Sequence, residues 1–235
     1  MHAVFKRELQ AYFYTPLGYV FMGVFLFFGS IFFIMGNLAD RSCNLLSLLS
    51  NMSYLWMLLS PVLCMRLITG DAKGCDRLLF SSPASLVGII GGKFLAATAV
   101  LCGTVVLSFV FPLLTALYGT LYLAETLTGY LGFFLQGCAF IALDLFISCF
   151  AKTQVVAAVS CFGVNLLLWL SDVLAQALDV SFISDVLSFI NLYERIDPFL
   201  SGQMSFANII FDLSFIGVML FLCVRVLDAR RWRES

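Results

Sequence analysis

Long apolar stretches recur along this chain, and they leave few folds open to it. Residues 17–38 (LGYVFMGVFLFFGSIFFIMGNL) and 94–118 carry no charged side chain at all. Comparable runs occupy residues 129–150, 155–174 and 207–227, and a shorter one holding Pro61 covers 53–68. A helix needs about 20 such residues to cross the hydrocarbon of a bilayer. A soluble reading fails on composition: 62% of the residues are hydrophobic, 11% are charged and 25 are Phe, whereas about 25% charge is usual in a soluble domain. Apolar surface on that scale cannot be hidden from water. The expected fold is therefore an all-α polytopic membrane protein, one domain over residues 1–235 with six transmembrane helices. Pro112 falls inside the third run, where a proline is tolerable only if a neighbouring helix satisfies the carbonyl it frees.

Charge placement orients these spans. Eleven of the thirteen Lys and Arg residues fall on the side that holds both termini, and only Arg41 and Arg195 on the other. By the positive-inside rule that side is cytoplasmic. The outer segments lean acidic, with Asp40, Glu125, Asp179 and Asp185 among them. The first span is expected to stay in place, because its apolar run exceeds a signal-peptide core and no small-x-small site precedes Asp40. No domain-sized soluble stretch is seen, so any soluble machinery is expected to be another polypeptide or absent.

Ahead of the first span lies VFKRELQAYFYTP. Phe5, Leu9, Tyr12 and Phe13 share one helical stripe, with Lys6, Arg7 and Gln10 off it, and Pro16 changes the direction of the chain. The pattern predicts a short helix over residues 3–15 lying in the cytoplasmic interface, its basic groups at the headgroups. The alternative is a helical extension of the first span, against which Pro16 and the nearby charges argue.

Several features suggest chemistry and fail on inspection. GIIGGKF, residues 88–94, lacks the phosphate-loop spacing because Val87 stands where glycine is required, and Phe94 replaces the hydroxyl that would hold magnesium. Gly88, Gly91 and Gly92 read instead as a close-packed start to the third span, with Lys93 anchored at the inner headgroups. Eight cysteines include no C-x-x-C pair, and His2 is the only histidine, so metal and histidine acid–base chemistry lack their parts. Asp144 and Asp212 are the carboxylates set furthest inside the apolar runs. Asp144 has two readings: a group on a substrate path or subunit seam, or a neutral acid held by hydrogen bonds. Asp212 sits near the outer end of the last run and reads as interfacial.

Against this background MRLITGDAKGCDRLLFSSP, residues 65–83, is exceptional: Arg66, Asp71, Lys73, Asp76 and Arg77 crowd one cytoplasmic loop. The triplet Leu78, Leu79 and Phe80 follows the charges. A short helix docking in a groove of a soluble partner combines apolar anchors with rim charges in this way; a loop dipping into lipid is the other reading.

The layout resembles the ABC-2 type permeases, the membrane subunits of ATP-binding-cassette exporters, and most closely their gliding-motility-type branch with six spans. FKRELQAYFYTPLGYVF is similar to the amphipathic elbow and the Pro-Leu/Ile-Gly-Tyr opening of that family's first span. LSPVLCMRLITGDAKGCDRLLFSSPAS resembles its run from Pro-x-x-x-Met-Arg through a charged segment to Ser-Ser-Pro. GGKFLAA, LFISCFAKTQVVAA and the C-terminal INLYERIDPFLSGQMSFANIIFDLSFIGVMLFLCVRVLDARRW follow in the family's order. The chain departs from the pattern at Thr69-Gly70, where the family carries a Glu pair, and at Arg77, where it carries an acid; a partner with altered complementary charge is implied.

The resemblance implies a transporter subunit rather than an enzyme, in a bacterial inner membrane with both termini cytoplasmic. Two such subunits, identical or related, would pair above a separate ATPase that binds the ATP and magnesium, leaving this chain without a cofactor and without nucleic-acid partners. Asp71, Lys73, Gly74, Asp76, Arg77, Leu78, Leu79 and Phe80 would form the coupling helix within a loop spanning residues 69–93. Phe5, Lys6, Arg7, Leu9 and Phe13 would belong to the elbow. Residues 172–205, with apolar Phe182, Phe189 and Phe199, would form re-entrant helices of an external gate, where the residues alone allow a plain outer loop. Two rival functions remain at this stage: a scaffold without transport, and an intramembrane lipid-modifying enzyme, for which the scattered carboxylates offer no cluster.

Overall fold

The structure is a computed structural model; it describes residues 2–38, 45–69, 86–118, 122–177, 194–200, 202–203 and 205–234. Every described element is helical. In chain order they are α1 (His2–Tyr14), α2 (Leu17–Phe33, continued by a π-helical turn Ile34–Leu38), α3 (Leu45–Thr69) and α4 (Leu86–Ser108). Then come α5 (Val110–Tyr118), α6 (Leu123–Ser148), α7 (Gln154–Ala177), α8 (Asp197–Leu200, led in by the 3-10 turn Glu194–Ile196) and α9 (Phe206–Glu234). Five stretches are long and apolar enough to cross a membrane: Leu17–Asn37, Leu45–Ile68, Leu86–Leu117, Leu123–Ser148 and Phe206–Ala229. This is the architecture of a polytopic membrane protein. Within α7, Gln154–Leu170 is a shorter apolar helix on the remaining apolar run.

Helix α3 begins well before the run counted from residue 53. Ser47, Ser50 and Asn51 interrupt the hydropathy but not the helix, because buried Leu45, Leu48, Leu49 and Met52 continue the three-and-four spacing of its inner face. Several hydroxyl groups inside the spans return to their own helix. Ser53 Oγ donates to the Leu49 carbonyl at 3.0 Å and Thr104 Oγ1 to that of Val100 at 2.9 Å, so neither is left unsatisfied in hydrocarbon.

The proline of the third span is accommodated as the sequence requires. Pro112 has no amide hydrogen for the Ser108 carbonyl four residues earlier, and the helix breaks at Phe109 between α4 and α5. Tyr130 of α6 fills the gap: its hydroxyl donates to the Ser108 carbonyl at 3.0 Å, and its ring stacks on Phe109 with centroids 4.3 Å apart.

The core is aromatic at its centre. Trp56 of α3 has no exposed surface; it stacks on Phe25 of α2 and meets Phe133 of α6 at a tilt, with centroids 5.0 and 4.8 Å away. Helix α6 is the hub, with 72% of its apolar window buried, whereas α9 buries 17% of its window and α2 28%. In lipid no hydrophobic force draws helices together, so close packing of small residues must do it. Gly18 shows this at the α1–α2 corner, where an added Cβ would lie 2.9 Å from the Tyr12 carbonyl oxygen.

Gly132 plays the same part between α6 and α8. A Cβ there would stand 2.6 Å from Cβ and Cγ of Phe199, which is buried. Alanine normally stabilises a helix interior relative to glycine by about 1 kcal/mol, but the clash should reverse the sign. Gly132→Ala is expected to destabilise the protein by about 1–3 kcal/mol, read as a lowered unfolding temperature in detergent; a stabilised variant would show that α8 does not pack here.

Candidate functional site

Helix α1 lies across the two helix ends that bound residues 70–85, the end of α3 and the start of α4. Its inner face carries Glu8 and Tyr12, both buried. Lys93 of α4 is 5% exposed; its Nζ stands 3.7 Å from Glu8 Oε1 and also donates to the Leu67 carbonyl. That carbonyl lies in the last turn of α3, where the helix supplies no amide partner, and a cation suits the negative end of the helix dipole. Arg7 Nη2 reaches the same Glu8 oxygen at 2.6 Å. One carboxylate therefore gathers two cations, and one of them caps α3.

Tyr12 adds a second tie to α3, donating its hydroxyl to the Leu63 carbonyl at 2.7 Å. Burial pushes the Tyr12 phenol well above its usual range, with Cys64 and Glu8 adding to the effect and Arg66 opposing it, so the hydroxyl remains a neutral donor. A third tie runs from Arg66 Nη1 to Thr15 Oγ1 at 2.8 Å, while Thr15 Oγ1 donates to the Ala11 carbonyl at the end of α1. Glu8, Ala11, Tyr12, Arg66 and Leu67 line a small open cleft between the helices.

These positions correct one expectation. Lys93 is not a headgroup anchor, because α4 begins at Leu86 and the lysine is enclosed by α1 and α3. Of the N-terminal stripe, Phe5 and Leu9 are half-buried against the core and Tyr12 is buried, while Phe13 turns outward to meet Tyr19 edge-on at 5.6 Å. Lys6 is exposed and Arg7 half-buried. Glu8 was legible but unread: it lies one turn from both Phe5 and Tyr12, so an acid occupied the apolar face and required a buried counter-charge. The expected coupling residues Asp71, Lys73, Gly74, Asp76, Arg77, Leu78, Leu79 and Phe80 lie outside the described residues.

A second polar cluster sits deep in the bundle. Asp144 of α6, Asn165 of α7 and Ser60 of α3 are each at most 1% exposed. Asn165 Nδ2 donates to Asp144 Oδ1 at 3.1 Å and to Ser60 Oγ at 3.4 Å. The Cys161 thiol donates to the Asp144 main-chain carbonyl at 3.4 Å. Asn165 and Ser60 were missed in the sequence; an amide within an apolar run was the available signal.

At the other end of the bundle, Arg195 holds α8 to α9. Its Nη1 donates to Asn208 Oδ1 at 3.4 Å, its guanidinium lies 3.5 Å over the Phe211 ring, and Asn208 Nδ2 donates back to the Arg195 carbonyl at 3.1 Å. Asp212 is nearby and only 4% exposed, so it faces the bundle rather than the interface. In the expected external gate, Phe199 packs on α6, while Phe182 and Phe189 lie outside the described residues.

No three His, Cys, Asp or Glu side chains gather as metal ligands among the described residues. The cysteines described are free, and Cys149 of α6 meets Cys223 of α9 as a buried thiol pair 2.8 Å apart. No family model matches this chain, and no curated protein matches it.

Proposed function

We propose that this chain is the membrane-spanning permease subunit of an ABC-type exporter, with both termini in the cytoplasm of a bacterial cell. Apolar α7 completes a sixth crossing, α1 is the interfacial elbow, and residues 172–205 contribute the external gate. The ATPase that binds ATP and magnesium is a separate chain, docked on residues 71–80, and a second permease subunit completes the path.

One observation carries this reading: a single short helix, α1, is tied to both stems of the charged segment. Lys93 joins Glu8 to the α3 carbonyl of Leu67, Tyr12 holds Leu63, and Arg66 holds Thr15. A loop that merely connected two spans would need no such frame. A loop that receives force does, because bound nucleotide shifts a conformational equilibrium only through contacts that differ between states, and those contacts must be rigidly connected to the spans. From this junction α3 continues as one helix, through Pro61, to Ser60 and the Trp56 cluster, which links displacement of its cytoplasmic end to the middle of the bundle.

Affinity purification of the full chain from its native membranes in mild detergent is the direct test. It should recover a nucleotide-binding chain that photolabels with an azido-ATP analogue. Leu78→Asp combined with Leu79→Asp should remove that chain while leaving the unfolding temperature of the permease unchanged. Recovery of the ATPase by the doubly substituted protein would remove the docking assignment, and its absence from the wild-type preparation would remove the exporter reading.

A further inference from the structure

Counting hydrogens in the Asp144 cluster exposes a deficit. Asn165 has two amide hydrogens, and both are used, on Asp144 Oδ1 and on Ser60 Oγ, while the hydroxyl hydrogen of Ser60 is itself directed at the Asp144 carboxyl group. The Cys161 thiol is shared between the Asp144 main-chain carbonyl and the carboxyl group, and the Cys64 thiol is directed at the Ile141 carbonyl, 3.8 Å away. Two fully buried acceptors are then left with no donor: Asp144 Oδ2 and Asn165 Oδ1. Among the described residues no Lys, Arg or His pairs with Asp144. The titratable side chains facing it are the Cys161 thiol of α7 and the Cys64 thiol of α3, and the other helices packed on α6 bring no charged group to it.

An ionised carboxylate in that position would hold an unpaired charge in hydrocarbon and an unpaired acceptor as well, two of the costliest arrangements a bundle can contain. A single hydrogen on Oδ2 removes the charge and turns a surplus acceptor into a donor, with Ser60 Oγ and Asn165 Oδ1 as the acceptors of the same cluster. The side-chain amide of Asn165 can present either face to the acid, so the pair closes in one orientation or the other. A metal cation would also answer the deficit, but it would need room and several more oxygen ligands, whereas a proton needs neither.

We infer that Asp144 is an intramembrane proton-binding site: its carboxyl carries a hydrogen and, as a neutral acid, latches α6 to α7 and, through the Asn165 amide, to α3. The proton is taken from water and no bond between protein atoms changes. The inference concerns the chain alone and stands whether or not an ATPase docks beneath it. Its mechanical consequence is that the α3–α6–α7 joint is dry and closed with the proton bound; loss of the proton places an anion between helices and invites water into the seam.

Infrared difference spectroscopy of the purified full chain in lipid at neutral pH tests this. The wild type minus Asp144→Asn should show the carbonyl stretch of a protonated carboxyl group, shifted down in heavy water. The corresponding difference for Asp212→Asn identifies any contribution from that residue. Asn165→Ala should retain the Asp144 band but move it to higher wavenumber, because a hydrogen bond to the acid is gone; this variant also serves if Asp144→Asn does not assemble. Loss of carboxylate stretches, rather than of the acid band, in Asp144→Asn would overturn the proposal. An acid band indifferent to Asn165→Ala would overturn the latch. Thermal stabilisation by sodium over choline, absent in Asp144→Asn, would assign the site to a metal cation instead.

Discussion

Trp56→Ala is expected to lower the unfolding free energy by about 3–5 kcal/mol, the range for removing a large aromatic from a packed core. The indole is fully buried and in ring contact with Phe25, Phe133 and, at 6.4 Å, Phe21. Between helices in lipid the loss comes from vacated van der Waals contacts rather than from transfer out of water. Trp56→Phe should recover most of the stability, because the indole Nε1 has no hydrogen-bond partner to lose. Reversible unfolding in mixed micelles measures both variants. Equal stability of wild type and Trp56→Ala would mean that α2, α3 and α6 do not converge on this ring.

Lys93→Met should have the next largest effect, a loss of about 3 kcal/mol. Removing one partner of a buried ion pair costs about 3–5 kcal/mol when the other charge is stranded. Here Arg7 remains on Glu8, 2.6 Å away and itself partly exposed, which places the expected loss at the lower end. The Leu67 carbonyl loses its donor in the same step. Glu8→Gln in the Lys93→Met background should restore part of the loss, with a coupling of about 0.5–3 kcal/mol in a double-mutant cycle. Limited proteolysis gives an independent reading: α1 should become cleavable in Lys93→Met and stay protected in the wild type. If Lys93 instead stood free among lipid headgroups, the substitution would leave stability and cleavage unchanged.

The contrast at Lys93 shows what the sequence could and could not convey. Six apolar runs, Pro16 as a corner and Pro112 as a break needing outside help were all readable, because span length and missing amide hydrogens are local properties. The partner that answers Pro112, Tyr130, was not readable, since nothing near residue 112 points to residue 130. Lys93 looked like a surface anchor because hydropathy counts it as polar and begins the span after it; only contact with Glu8, far off in the chain, shows it to be enclosed. The same holds for Asp144, whose two readings differ in what stands opposite it. Asn165 and Ser60 supply that, and each sits in a run whose composition alone marks it as ordinary membrane helix. Helices α3 and α4 begin ahead of their apolar runs for a simpler reason: serine, asparagine and glycine depress hydropathy without preventing helix.

The tie between Glu8 and Lys93 bears on the order in which the molecule is assembled. A chain is synthesised from its amino end, so the acid reaches the membrane surface long before its lysine has been made. The end of α3 becomes available to α1 first, through Leu63 and Arg66, and the cation only when α4 is inserted. Helix α1 is therefore seated only after three later helices, α2, α3 and α4, are in the bilayer or entering it.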